Sequence, residues 1–290
     1  MTVGLLVTEG TRFLRSRGVA TPRLDAELLL AFVLEKRRVD LLIHPEVEVT
    51  PDKVGVFRKL LQKRAEGVPV AYLTGEKEFM SLEFRVTPDV LIPRPETELL
   101  VERVLDFLKL QDHDRHNFLV ADVGTGSGAI AVSLAFYHPR VRVLAIDIAE
   151  EALRVARYNA MRHGVQGRTE FLQGDLLTPL LQAGETGKGD VVVANLPYIP
   201  TEKIASLPRD VRAEPEIALD GGSDGLDLYR RLLPQAALFL APGGLLACEV
   251  GPGQGGLLAE MLDHRFWSKP KIELDYQGQE RLFIVIRKKD

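Results

Sequence analysis

Apolar residues recur at helical spacing through roughly the first 75 positions and then change period, which divides the chain. Thr21-Pro22 offers a capping residue followed by a proline at the first helical position, and Leu24, Leu28, Phe32 and Val33 follow at helical spacing. Thr50-Pro51 repeats the signal ahead of Val54, Phe57, Leu60 and Leu61, with Gly67 as the expected stop. Short amphipathic helices of this kind predict a small helical bundle over residues 1–77.

Period two then appears at Phe79, Leu82, Phe84 and Val86, and Val90, Leu91 and Ile92 form a further short apolar run. Together they predict two short strands, a β-hairpin linker over 78–95. Pro93-Arg94-Pro95 forces extended backbone before Glu96-Thr97-Glu98 opens a helix with Leu99, Leu100, Val104, Leu105 and Leu108 on its buried side. From residue 118 onward, strands expected at 118–123, 141–146, 169–173, 190–194 and 244–250 alternate with helical stretches such as 149–163, which Gly164 would end. This pattern predicts a doubly wound, mainly parallel α/β sheet over 96–290. The last two strands, 271–276 and 282–286, are too close for a helical crossover, so they should pair antiparallel and complete seven strands.

With 290 residues and 46% hydrophobic content, the chain can bury one large core and a smaller one. Its single cysteine, Cys248, cannot form an internal disulfide, and no Cys/His cluster has zinc-ligand spacing, so no metal is implied. The N-terminus does not read as a secretion signal and the longest apolar runs, such as 28–34, are far too short to span a bilayer, which predicts a cytoplasmic protein with no membrane partner. Residues 1–78 carry +2 and the remainder −6, giving −4 overall without a dense basic patch. A naked nucleic-acid substrate is disfavoured.

The candidate chemistry sits at strand ends. Asp122-Val123-Gly124-Thr125-Gly126-Ser127-Gly128 lies between the first strand of the sheet and the next helix, where alternate glycines allow a tight turn and close approach of a nucleotide-like ligand. Asp147, at the end of the second strand, is placed to accept from ribose hydroxyls, though Asp is also a favoured helix cap. The same loop could serve a dinucleotide, because Gly124, Gly126 and Ala129 satisfy the loose form of that fingerprint. Asp175, after the third strand, is either in reach of an adenine amine or a turn residue. His113 and His116 lie in a charged stretch that reads as a connector rather than a metal site.

Asn195-Leu196-Pro197-Tyr198 closes the fourth strand. An asparagine oxygen and the next backbone carbonyl can accept both hydrogens of a planar NH2 group while a tyrosine ring covers its flat face. The plain alternative is a strand-ending turn.

Taken together, the Gly124 to Gly128 loop, Asp147 and this quartet resemble a class I methyltransferase that uses S-adenosylmethionine and modifies a planar nitrogen. Residues 67–75 (Gly-Val-Pro-Val-Ala-Tyr-Leu-Thr-Gly), 91–98 (Leu-Ile-Pro-Arg-Pro-Glu-Thr-Glu), 214–226 (Glu-Pro-Glu-Ile-Ala-Leu-Asp-Gly-Gly-Ser-Asp-Gly-Leu) and 278–281 (Gly-Gln-Glu-Arg) resemble the PrmC/HemK peptide chain release factor glutamine methyltransferases. The resemblance implies methylation of the glutamine amide in the Gly-Gly-Gln motif of class I release factors, with the helical residues 1–77 recognising that protein substrate. It implies cofactor binding by Gly124, Thr125, Gly126, Ser127, Gly128, Asp147, Asp175, Leu176, Asn195 and Thr97. Substrate would be held by Asn195, Leu196, Pro197 and Tyr198, with Asn195, Pro197 and Tyr198 catalytic.

The family usually has proline where this chain has Leu196. A leucine there is also typical of rRNA adenine dimethyltransferases, but those generally place a helical domain after the catalytic one. A nicotinamide-dependent oxidoreductase would leave the quartet without a role. A release-factor-binding protein that has lost turnover is the remaining alternative.

Overall fold

The computed structural model describes residues 1–111 and 117–289. His113 and His116 lie outside the described residues. Contacts divide the chain into two compact units, one of Met1–Glu76 with Pro208–Ala213, the other of Lys77–Leu207 with Glu214–Asp290.

The first unit holds helices α1 (Val3–Ser16), α2 (Pro22–Leu34), α3 (Arg38–Ile43), α4 (Pro51–Ala65) and α5 (Val70–Thr74). Pro22 and Pro51 do begin helices, but neither Thr21 nor Thr50 caps with its side chain; the Thr21 hydroxyl donates instead to Asp25 Oδ1 at 2.7 Å. In α2 the residues read as a stripe mostly face outward: Leu24, Leu28 and Phe32 are exposed, while Ala26, Leu29, Leu30 and Val33 are buried. This helix is apolar on most of its circumference, so periodicity alone could not choose the face; the choice falls to tertiary packing. Gly10 of α1 shows how tight that packing is, because a Cβ there would stand 3.0 Å from Phe57 Cζ and 3.1 Å from Ala26 Cβ. Arg64 on α4 is buried and donates to Asp25 at 2.6 Å and to Asp210 at 2.9 Å.

The second unit opens with the hairpin β1 (Glu76–Phe79) and β2 (Leu82–Arg85). Both strands lie earlier than expected, and residues 90–92 belong to no strand. The turn is Met80-Ser81, with φ of 50° and 57°. Two central residues at positive φ make a type I′ geometry, normally advertised by Asn-Gly, and Met-Ser hid it. Glu98 accepts from Met80 N at 2.7 Å and the Tyr137 hydroxyl donates to Met80 O at 2.5 Å, which holds the turn without glycine.

After α6 (Pro95–Leu110) the chain alternates through β3 (Phe118–Val123), α7 (Ala129–Tyr137), β4 (Val141–Asp147), α8 (Glu150–Arg162), β5 (Thr169–Gln173), α9 (Thr178–Gln182) and β6 (Gly189–Ala194). Then follow α10 (Thr201–Ile204), α11 (Asp227–Phe239), β7 (Leu240–Glu249), α12 (Gln254–Glu260), β8 (Lys271–Leu274) and β9 (Glu280–Ile286). The seven-stranded order is β5-β4-β3-β6-β7-β9-β8. Strands β3 to β7 pair parallel, and β9 is antiparallel to both β7 and β8. The doubly wound architecture and its antiparallel last strand are as the alternating pattern predicted.

Alternate residues of each central strand feed opposite layers. Val120, Val191, Val193 and Ala247 pack with Leu100 and Val104 of α6 and Leu134 of α7. Ala121, Val123, Val192, Ala194 and Cys248 pack with Tyr229, Leu232 and Leu233 of α11. Strands covered on both faces in this way read as continuous apolar runs. Because β4 lies on one side of β3 and β6 on the other, the strand order reverses at β3. The loops leaving β3 and β6 therefore diverge and leave a crevice at the carboxyl edge of the sheet.

Candidate active site

That crevice is a cavity of about 690 Å³, a size suited to a nucleoside-bearing ligand. Thr97, Gly124, Thr125, Gly126, Ser127, Asp147, Asp175, Leu176, Asn195, Leu196 and Pro197 all line it. Gly128 and Tyr198 do not. Gly128, at φ +80°, sits where α7 begins, and a Cβ on it would meet Ala156 Cβ at 3.0 Å; its smallness serves helix packing.

The glycine loop is pinned from beneath. Gly124 N and Thr125 N both donate to Ile146 O at 2.9 Å, and Asn159 of α8 donates to Ser127 O at 2.8 Å. The buried Asp122 accepts from the Thr125 hydroxyl at 2.6 Å and from Ala131 N at 3.1 Å, through the same oxygen. Its other oxygen is buried without a hydrogen-bond partner. Burial pushes this carboxyl up to about 7, and the nearby Asp147 charge pushes the same way. A Cβ on Gly126 would meet nothing within 4 Å, so the loop leaves its backbone open on that side.

Asp147 accepts from Gly126 N at 2.8 Å and from Ala149 N at 3.0 Å. One carboxylate thus ties the glycine loop to the entry of α8, and burial raises it above the usual carboxylate range. Each oxygen retains a lone pair for a hydroxyl donor. Asp175 is ion-paired with Arg231 of α11, 56 positions away, a partner that nothing local in the sequence could announce. Leu176 beside it is buried at φ +53°.

Asn195 Nδ2 donates to Thr97 Oγ1 at 3.0 Å, and Thr97 donates to Glu249 Oε2 at 2.6 Å. The other oxygen of Glu249 accepts from the Tyr198 hydroxyl at 3.4 Å, and Arg281 donates to that hydroxyl at 3.3 Å. Glu249 is buried, which raises its carboxyl, and its charge, after burial, helps push the Tyr198 phenol up to about 12. The Tyr229 hydroxyl donates to Glu249 O at 2.5 Å and lies 3.3 Å from the Leu196 carbonyl, which keeps lone pairs for a further donor.

Glu249, Arg281 and Tyr229 carried no assigned role in the sequence reading. For Glu249 a signal existed: a carboxylate closes the buried apolar run of β7. The segment 214–226, also without a role, packs against the quartet. Gly221 N donates to Ile199 O at 2.9 Å, and a Cβ on Gly221 would come within 2.7 Å of Pro197 O. Glu214 accepts from Ile92 N at 2.9 Å and pairs with Arg94, clamping the extended stretch that leads into α6 and hence to Thr97.

Residues 6–75 match the family described as the PrmC N-terminal domain, and residues 114–249 match a methyltransferase domain. A release factor glutamine methyltransferase from Moorella thermoacetica is 47% identical over 291 residues, covering 100% of this chain and 100% of that protein. This chain belongs to the release factor glutamine methyltransferase family. A further member, from Geobacter sulfurreducens, is 41% identical across 95% of this chain and 94% of its own. Among solved structures, the catalytic domain of hMettl16, crystallised with the MAT2A 3′UTR hairpin 6, aligns at a TM-score of 0.57 and 15% identity, covering 79% of this chain and 81% of that one. That likeness is one of fold.

Membership of the release factor glutamine methyltransferase family does not favour the oxidoreductase, rRNA methyltransferase or non-catalytic readings. It makes the chain an enzyme of the S-adenosylmethionine-dependent methyltransferase class. The crevice suits such a cofactor on its own chemistry: open glycine backbone, a half-buried carboxylate with free lone pairs, and apolar walls at Leu176 and Ile148. Among the described residues no helix is long and apolar enough to cross a membrane.

Proposed function

We propose that this protein transfers a methyl group from S-adenosylmethionine to the side-chain amide nitrogen of the glutamine in the Gly-Gly-Gln motif of class I release factors, in the cytoplasm. The observation that carries the reading is the fixed orientation of Asn195. Its NH2 is committed to Thr97, so its oxygen is the group left for a donor at the cavity, beside the Leu196 carbonyl.

Bound S-adenosylmethionine would supply an electrophilic methyl group on a sulfonium. The chain's own residues do the rest. Gly124 to Ser127 would offer backbone to the cofactor, Asp147 would accept from a ribose hydroxyl, and Asp175 and Leu176 would hold its nucleoside end. An amide nitrogen is a poor nucleophile because its lone pair is shared with the carbonyl, so placement and charge stabilisation matter more than a base. The Asn195 oxygen and Leu196 carbonyl accept the two N–H groups and stabilise positive charge as the methyl–nitrogen bond forms, after which one of these protons leaves to solvent. Pro197 restricts the backbone that presents them. The Tyr198 hydroxyl, held by Glu249 and Arg281, fixes the end of the quartet. The helical residues 1–77 would orient the intact protein substrate.

The test is mass spectrometry of a purified class I release factor after incubation with the protein and S-adenosylmethionine. One added methyl group on the Gly-Gly-Gln glutamine is expected. Cofactor binding with an unmodified release factor would overturn the proposed substrate, and tight NAD binding with no response to S-adenosylmethionine would overturn the chemistry.

A further inference from the structure

Thr97 and Glu249 come from α6 and the end of β7, far from the quartet in sequence, yet they meet behind Asn195 in a chain of two hydrogen bonds. The inventory of protons gives this chain a direction. A threonine hydroxyl has one proton, and here it is spent on the Glu249 carboxylate at 2.6 Å. The Thr97 oxygen can then only accept from its other neighbour. An Asn195 side chain that turned its oxygen toward Thr97 would face a lone pair with a lone pair, so the amide is held with its NH2 inward and its oxygen outward. Both side chains behind Asn195 are buried, at 4% exposure for Thr97 and 1% for Glu249, so water does not compete for these bonds.

We propose that Glu249 and Thr97 are positioning residues that lock the Asn195 amide in the one orientation able to accept the substrate's N–H. The proposal deepens the glutamine-methylation reading above and rests on it for its kinetic arm. Glu249 serves the second arm of the quartet as well, through the Tyr198 hydroxyl at 3.4 Å, so one buried carboxylate braces both ends of the sequence that meets substrate. The role differs from the cofactor binding that the family resemblance implies for Thr97. A threonine whose proton is spent on a protein carboxylate has no proton left to offer a ligand.

The test compares Thr97→Val, which keeps shape and removes the hydroxyl, with Thr97→Ser, which keeps the hydroxyl. The full-length protein is used, and thermal melts confirm folding. In single-turnover methylation at saturating cofactor and release factor, Thr97→Val should lose about tenfold in rate while Thr97→Ser stays within about twofold of wild type. In Thr97→Val, S-adenosylhomocysteine affinity should fall by less than the rate does. In an Asn195→Ala background, Thr97→Val should cause no further loss, because its effect acts through Asn195. Glu249→Leu should lose at least as much as Thr97→Val, and part of its loss should persist in the Asn195→Ala background because the hold on Tyr198 goes too; if it does not fold, the threonine pair decides alone.

A loss confined to cofactor affinity, or a full additional loss on top of Asn195→Ala, would overturn the proposal. An arm independent of activity uses the Asn195 side-chain NH2 signals in ¹⁵N spectra, assigned by their disappearance in Asn195→Ala. They should move in Thr97→Val and stay in Thr97→Ser; no movement in Thr97→Val overturns the lock even if the release factor is not the substrate. A wild-type protein inactive on release factor, with these signals behaving as expected, refutes the substrate reading and leaves the lock standing.

Discussion

Leu196 Cδ2 closes the space beside Gly124: a Cβ built on that glycine would stand 2.9 Å from it. The quartet after β6 and the glycine loop after β3 are thus in direct contact across the switch point of the sheet. Leu196 is buried at 4% exposure, so the residue that departs from the usual family proline has become part of the packing beneath the loop.

Gly124→Ala should therefore suffer twice, from the contact with Leu196 and from a backbone at φ +72° that alanine resists. A penalty of about 1.4 kcal/mol falling on the loop would weaken S-adenosylhomocysteine binding about tenfold. Adding Leu196→Ala should restore part of this, since the contact is relieved while the backbone strain remains. Titration calorimetry on the single and double variants checks it, and equal affinities would mean the contact is irrelevant.

Leu196→Pro tests the departure itself. It keeps the backbone carbonyl and stiffens the backbone, but it shortens a buried side chain. Turnover should stay within a few-fold of wild type or rise slightly, while stability falls by about 1 kcal/mol from lost packing. Single-turnover rates and urea melts measure the two effects separately. A large fall in rate with an unchanged melt would show that Leu196 itself contributes to the chemistry.

Asn195→Ala removes an acceptor that matters most when charge grows on the substrate nitrogen. Loss of one preorganised group of this kind typically costs on the order of 10²-fold in turnover. The loss should appear in the single-turnover rate at saturating cofactor, with the melt unchanged. Near-normal turnover in a folded variant would show that the quartet does not hold the nitrogen.

Asp122 makes a prediction in pH. The unfolded chain ionises this carboxyl near 3.8 and the native protein not until about 7, because burial opposes the charge. Between those values the native state holds the extra proton, so this group's contribution to stability falls as pH rises from about 4 to about 7 and is level above. Asp122→Asn keeps an oxygen for Thr125 and Ala131 and removes the titration. Its stability relative to wild type should therefore climb across that window, as read from urea midpoints at pH 5 and pH 8. Parallel curves for the two proteins would rule out the buried proton.

How much of this was legible follows from the range of each interaction. The central strands announced themselves because burial on both faces demands runs such as Val191-Val192-Val193, and the glycine loop and Asp147 because they are local in sequence. The face of α2 was not legible, since Ala26, Leu29, Leu30 and Val33 make as good a stripe as the residues that turned out exposed. The hairpin register was hidden because Met80 and Ser81 accept positive φ only under the hold of Glu98 and Tyr137. Inside the site, the quartet could be read but its bracing could not. Thr97 and Glu249 are 152 positions apart, and only the folded sheet brings a carboxylate at the end of β7 against the first turn of α6.

The helical unit carries its own test in Arg64. This guanidinium is buried against Asp25 and also reaches Asp210, while Asp25 keeps the Thr21 hydroxyl as a second donor. Arg64→Met removes the positive charge and leaves the Asp25 carboxylate buried, a change that typically costs about 3–5 kcal/mol, whereas replacing both partners of such a pair with apolar residues is often close to neutral. Arg64→Met should therefore lower the urea midpoint of the helical signal strongly, and Arg64→Met combined with Asp25→Leu should recover most of the loss. Affinity for S-adenosylhomocysteine should be unchanged, because the crevice is built from the other unit. Circular dichroism melts and titration calorimetry on the two variants measure both. If the double variant were no more stable than Arg64→Met alone, the cost would lie in lost packing of the arginine stem rather than in an unpaired buried charge.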